Sequence, residues 1–313
     1  MLALEVKELK KVYKKPFSRK TLHALKEVNF SVSEGIIFGL IGPNGAGKTT
    51  TIKSILNLVK PTSGSILIFG NDFREKNVRR DIGYMPETEK YPAYLTGRQF
   101  INVFFNLSGG YTKGYHNRLN SWIEKTGLSN AIDNKILEYS RGMRKRLGFI
   151  QAILHKPKLL LLDEPIEGLD TIGKQVIIDT LKEYKEAGKS ILINSHYLSE
   201  IEKICDHVAI IKQGKILMNF NPKNNLYVCS GYSLGISFED KSLIKNISQL
   251  FPIKLEKPGL LFLMSDDEKL LNKLIHYLCD NGVSINRVEK IKNKLEEIYL
   301  SAIRDKEFSA HPN

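Results

Sequence analysis

The sequence predicts an α/β fold organised around a parallel sheet, and three observations lead there. Ile36–Ile41 and Leu159–Leu162 are unbroken apolar runs of strand length, as expected of strands covered on both faces. Ser190–Asn194 is a third such run, and a helix-forming stretch around Lys174–Glu186 separates it from the second. That strand–helix–strand order implies parallel pairing, because the chain crosses back over the sheet before the next strand begins.

The elements follow in order. Leu4–Leu9 and Val28–Val32 alternate apolar and polar residues, the period of half-buried strands, with a basic loop containing Pro16 between them. After Ile36–Ile41, Thr49–Leu58 reads as a helix closed by the breaker Pro61-Thr62-Ser63-Gly64. Residues from about 96 to 156 read as mostly helical; Thr96 with Gln99 forms a capping box, and Pro157 stops the last helix. Beyond Phe220 the character changes. Asn219–Asn225, rich in Asn, Pro and Lys, reads as a linker. Short strands at Leu260–Met264 and Val283–Val288 then alternate with amphipathic helices at Glu268–Cys279 and Leu295–Ala302, giving a small α/β appendage, and Ser309–Asn313 reads as a frayed end. The expected domains are 1–218, containing a helical part at about 90–156, a linker at 219–225 and an accessory domain at 226–308.

With 313 residues, 42% hydrophobic and 26% charged, the chain has the composition of a soluble globular protein. The apolar runs fall far short of the roughly 20 residues a membrane-spanning helix needs. The N-terminus lacks a basic head followed by a long apolar run, so the chain is expected to stay in the cytoplasm. Cys205, Cys229 and Cys279 are widely scattered and read as buried reduced thiols. The formal charge of +13 suits either nucleic acid or an anionic membrane surface, and charge alone leaves that choice open.

Chemistry concentrates in three places. Gly42-Pro43-Asn44-Gly45-Ala46-Gly47-Lys48-Thr49 matches G-x-x-x-x-G-K-[ST], directly after a buried strand and at the start of a helix. Its glycines let successive N–H groups converge on phosphate, and the helix N-terminus adds a favourable dipole. Lys48 is placed to bridge β- and γ-phosphate oxygens, and Thr49 to offer its hydroxyl to magnesium. The second place is Leu159–Glu164, where an apolar strand delivers Asp163 to its carboxyl end as a magnesium ligand and Glu164 follows to orient or deprotonate water. The third is His196. A lone histidine is more often structural, but its position just after a buried strand is where a γ-phosphate sensor would sit.

Taken in order, these motifs resemble the ATP-binding subunits of ABC transporters, through residues 1 to about 218. Tyr139-Ser140-Arg141-Gly142-Met143 is similar to the ABC signature, Glu167-Gly168-Leu169-Asp170 to the D-loop, and His196 to the switch histidine. Tyr13 stands where the family stacks an aromatic ring on adenine. The resemblance implies a phosphate-loop fold with a RecA-like parallel core, an antiparallel β subdomain and a helical signature subdomain. It assigns nucleotide binding to Tyr13 and Gly42–Thr49 with Thr50, magnesium to Thr49 and Asp163, and catalysis to Glu164 and His196. Ser140, Arg141, Gly142 and Met143 are then expected to meet the ATP of an opposite subunit, with Asp170 in the D-loop.

Two departures stand out. Arg141 and Met143 replace the first glycine and the glutamine of the usual Leu-Ser-Gly-Gly-Gln, while Ser140 and Gly142 survive. Glu87 occupies a position where the family has glutamine; it can accept from a water or ligate magnesium but adds negative charge, and a role as a mere loop cap stays open. These variants, and the tail Leu295-Glu296-Glu297-Ile298-Tyr299-Leu300, are similar to the branch with ABC-2 type membrane partners, mostly exporters. The resemblance thus implies an ATPase powering transport through a separate membrane-spanning permease, peripheral on the cytoplasmic face of the membrane, as a homodimer or heterodimer of ATP-binding subunits. Tyr91–Leu95 is the candidate docking surface. The alternative is a soluble ABC ATPase acting on ribosomes or DNA. Only one motif set exists and no sustained heptads separate Thr49 from Tyr139, so no nucleic-acid partner is expected.

Overall fold

The fold is taken from a computed structural model, which describes residues 1–14, 21–88, 90–109, 114–222, 231–237, 247–248, 250–257, 259–263, 265, 267–291 and 299. The Pro16 loop, Cys229, the helix expected at Leu295–Ala302 apart from Tyr299, and the Ser309–Asn313 end lie outside these residues. The chain divides into two compact units, one holding Met1–Lys223 and the other Asn224–Ser301.

The first unit is built on a ten-stranded sheet of order β5-β4-β1-β2-β10-β9-β3-β8-β7-β6. One end is antiparallel: β1 (Leu2–Lys14), β2 (Thr21–Ser33), β4 (Ser63–Ile68) and β5 (Asn71–Asp72). In β1 the buried residues are Ala3, Leu4, Val6 and Leu9, so strict alternation fails at Ala3 and again before Leu9. Before Leu9 the pairing shifts and Glu8 adopts φ 50°, a bulge that returns Leu9 to the core face. The other end is parallel: β6 (Ile82–Met85), β7 (Leu159–Asp163), β8 (Ser190–Asn194), β3 (Ile37–Ile41) and β9 (His207–Lys212), closed by the antiparallel strand β10 (Lys215–Phe220). All five residues of β3, β7 and β8 are buried, which is why these strands read as continuous apolar runs.

Helices fill the crossovers. α1 (Lys48–Ile55) begins at the phosphate loop and ends three residues before the expected Leu58; Asn57 has turned to φ 55° by then. The expected breaker at Pro61–Gly64 is in part the start of β4. Between β6 and β7 lie α2 (Gly97–Leu107), α3 (Tyr115–Lys125) and α4 (Arg141–Ile153), with their own core of Phe100, Ile101, Leu119, Ile123, Leu128, Leu147 and Ile150. The Thr96–Gln99 capping box is present at the start of α2. α5 (Thr171–Glu186) and α6 (Leu198–Ile204) complete the unit.

The second unit is an antiparallel sheet of order β12-β13-β11-β14, from β11 (Gly231–Ser237), β12 (Ile253–Lys257), β13 (Leu260–Leu263) and β14 (Ser284–Ile291). α7 (Glu268–Asp280) joins β13 to β14, and Leu271, Leu274 and Leu278 bury its inner face beside Tyr232, Leu234, Leu261 and Leu263. This order is the split β-α-β arrangement. The expected buried state of the cysteines holds for Cys205 but is corrected for Cys279, which lies outside the Leu271–Leu274–Leu278 stripe and is exposed.

Candidate functional site

The phosphate loop is shaped by close approaches that exclude side chains. A Cβ on Gly42 would lie 2.2 Å from the Ile211 carbonyl oxygen. One on Gly47, at φ 111°, would lie 2.8 Å from Leu25 Cδ2 and 2.9 Å from the Ala24 oxygen. The Ala46 amide donates to the Pro43 oxygen (3.1 Å), tightening the turn. Lys48 is buried, and its ammonium donates to the carbonyls of Gly42 (2.7 Å) and Pro43 (3.4 Å), folded back over the loop it must hold.

This loop forms the floor of a cleft of about 540 Å³, lined by Pro43–Thr50 together with Tyr13, Glu87 and Glu164. Five further lining residues carry no motif: Leu22, His23, Ala24, Lys26 and Gln213. The first four come from β2. Gln213 comes from the two-residue turn between β9 and β10, where Gln213 and Gly214 both have positive φ (48° and 76°). That turn is stitched into the site: the Gly214 amide donates to the Ala46 oxygen, and the Lys26 amide to the Gly214 oxygen, both at 2.8 Å. Tyr13, near the end of β1, is part-exposed and carries the Lys11 ammonium 4.8 Å from its ring centre.

On the acidic side of the cleft the carboxylates at the end of β7 are buried. Glu164 leaves β7 in the left-handed region (φ 52°), a conformation a bulky residue rarely adopts, with its amide bonded to the Asn194 oxygen at 3.0 Å. Its side chain is only 6% exposed; the carboxylate lies 3.0 Å from Nδ1 of His196 and accepts the His196 backbone N–H at 3.3 Å. Burial pushes the Glu164 carboxyl above the usual carboxylate range, against the lowering pull of His196 and Lys48. A desolvated carboxylate with raised proton affinity, held by a histidine, is equipped to take a proton from water. Beside it, Asp163 is buried; Oδ1 accepts from the Asn194 amide (3.2 Å), and Oδ2 has no hydrogen-bond partner among the described residues.

The signature residues are elsewhere. Ser140 caps α4, its Oγ accepting the Met143 amide at 3.2 Å, and the Met143 side chain packs against the core of the helical region. Arg141 pairs with Glu167 (3.0 Å) and lies along Gly168. Asp170 caps α5, accepting the Gly173 amide at 2.7 Å. None of these residues lines the chain's own cleft. Glu87 links the two regions, because the fully buried Lys145 of α4 donates to its carbonyl oxygen at 2.8 Å.

A parallel core delivering a phosphate-binding turn and a buried acid to one cleft, with the exposed His196 set against that acid, defines a phosphate-loop ATPase. The family model "ABC transporter" matches residues 25–167. An uncharacterised ABC transporter ATP-binding protein, YxlF of Bacillus subtilis (strain 168), is 32% identical over 285 residues, covering 90% of this chain and 94% of that protein. The bacitracin transport ATP-binding protein BcrA of Bacillus licheniformis is 35% identical over 295 residues, covering 90% and 92%. Among solved structures, the ATP-binding subunit of an ABC transporter aligns with a TM-score of 0.65 at 31% identity, over 70% of this chain and 90% of that one. The chain belongs to the ABC transporter family, as an ATP-binding subunit that binds and hydrolyses ATP.

Proposed function

We propose that this subunit uses magnesium-ATP to drive export through a separate membrane-spanning permease, working as one of two head-to-tail ATP-binding subunits on the cytoplasmic face of the membrane. The observation that carries the reading is the separation of Ser140 and Gly142 from the chain's own cleft. Gly142 is open, a Cβ there meeting nothing closer than 3.6 Å, so packing within the chain does not account for its glycine. A second copy presenting this segment over the nucleotide accounts for it: the Ser140 hydroxyl donates to the γ-phosphate while still accepting from Met143, and the start of α4 adds its dipole.

Within one cleft, the residues divide the work. Tyr13 offers its ring to adenine. The ammonium of Lys48 exchanges its two carbonyl partners for β- and γ-phosphate oxygens. Thr49 and the unpartnered Oδ2 of Asp163 are oxygen donors suited to magnesium. When bound, the ion neutralises charge on the β- and γ-phosphates. Glu164 takes the proton of the attacking water, and His196 fixes its carboxylate and faces the γ-phosphate. The lean to export rests on the Glu87, Arg141 and Met143 departures and on the likeness to the bacitracin transport protein.

Docking to the permease is assigned to the helical region, where Tyr94, Val103, Leu107 and Leu137 are exposed around a packed core that includes Tyr91. Exposed large apolar side chains are candidates for a contact site where they form one patch. Tagged wild-type chain recovered from detergent-solubilised membranes should bring down a protein with several apolar spans of about 20 residues. Tyr94→Asp with Leu107→Asp should lose that protein while retaining ATP binding. Recovery with ribosomes or DNA in place of a membrane protein would overturn the reading.

A further inference from the structure

Asp163 and Asn194 end adjacent parallel strands and are paired in register at the carboxyl edge of the sheet. Both are almost fully buried, at 1% and 0% exposure. The Asn194 NH2 donates to Asp163 Oδ1 at 3.2 Å, and the amide cannot be turned round, because its oxygen would then face a carboxylate oxygen. This leaves Asp163 Oδ2 and Asn194 Oδ1, on residues paired across neighbouring strands, both buried and neither with a hydrogen-bond partner among the described residues. A buried polar atom without a partner is costly, so each of the two calls for an explanation. Two together, next to a cleft that takes phosphates, are what a site for a hydrated cation leaves behind when only its protein groups are present.

We propose that Asn194 is a positioning residue for the metal-binding carboxylate. Its NH2 fixes Asp163 with Oδ2 free for magnesium, and its own Oδ1 is the acceptor kept for a water of the ion's shell. The inference rests on Asp163 as a magnesium ligand. Partners behind a metal ligand fix its orientation, and losing one typically weakens metal binding 10–100-fold. The short Asn194 side chain does this from the strand itself, where β8 also anchors the Glu164 amide through the Asn194 carbonyl. One residue thereby sets both carboxylates of the Asp163–Glu164 pair, one through its side chain and one through its backbone.

The test is the magnesium dependence of nucleotide binding, read with a fluorescent ATP analogue in a magnesium titration and again in EDTA. Asn194→Leu keeps the branching and the heavy-atom count, with some added bulk, and removes both polar atoms. It should raise the half-saturating magnesium concentration about 10–100-fold while leaving affinity in EDTA within about twofold of wild type. Asn194→Ser, too short to reach Oδ1, should shift it in the same direction and serves if the leucine variant does not fold. In an Asp163→Ala background, neither change should add a further shift. Wild-type magnesium dependence in a folded variant, an equal loss in EDTA, or additivity with Asp163→Ala would overturn the role of Asn194. A wild-type protein whose nucleotide binding ignores magnesium would instead remove Asp163 as a ligand, and this proposal with it.

Discussion

Replacing Glu164 by glutamine changes the charge and basicity of one buried group while keeping its shape. The side chain is 6% exposed and its carboxylate is held by the ring and backbone of His196, so an amide of the same size can occupy its place with little repacking. Loss of a positioned general base typically costs 10²–10⁴ in rate. At 1.36 kcal/mol per decade that is about 3–5 kcal/mol of transition-state stabilisation, with nucleotide affinity retained or improved because a negative charge leaves the phosphate cleft. Steady-state ATPase activity and size-exclusion chromatography with ATP should show a nearly inactive protein that accumulates as an ATP-bound dimer.

The same substitution carries a pH signature. Burial raises the Glu164 carboxyl above its ordinary value of 4.5. The stability linked to its protonated form is therefore complete below 4.5 and lost as pH rises through the folded-state value. At neutral pH the wild type keeps a charge at a buried position and the glutamine variant does not. The variant should accordingly melt at higher temperature near pH 7.5, with the gain fading on acidification and vanishing below about 4.5. The acid limb of the wild-type kcat profile should lie above 4.5 for the same reason. A variant turning over within about threefold of wild type would refute the base assignment, and a melting gain constant with pH would refute the desolvation argument.

Lys48→Ala removes an ammonium that can make two charge-assisted hydrogen bonds, each worth about 1.5–3 kcal/mol, so ATP affinity by calorimetry should fall at least 100-fold; a change under fivefold would contradict the phosphate role. Gly83→Ala places a Cβ 2.1 Å from the Ala152 oxygen and 2.7 Å from Leu160 Cδ2, forcing α4 off β6. That overpacking should cost about 1–3 kcal/mol or more in thermal denaturation, and an unchanged melting temperature would mean the helix slides freely.

Some of the molecule was legible because its cause is local. The phosphate loop, the capping box at Thr96 and the strand that delivers Asp163 are each specified within about eight consecutive residues. Their backbone needs, glycine in a tight curl, a hydroxyl before a helix, an unbroken apolar run, are written in residue type. The strands β11 and β12 were not anticipated. The alternation Tyr232, Leu234, Ile236 is present in β11, but it follows an Asn-, Pro- and Lys-rich stretch, and two of its residues are glycines.

By itself, then, the sequence determined which residues can curl around a phosphate, which runs must be buried on both faces, and that two carboxylates follow one another at a strand end. Only the tertiary structure decided what those groups meet. It brought β2 and the Gln213–Gly214 turn over the loop, set His196 against Glu164 and Asn194 against Asp163, and paired Arg141 with Glu167. Each of these contacts joins residues distant along the chain. A side chain's type states what it can bond to, but strand order and register state which partner stands opposite it, and in this sheet those follow from crossovers and buried surface that no short stretch of residues encodes.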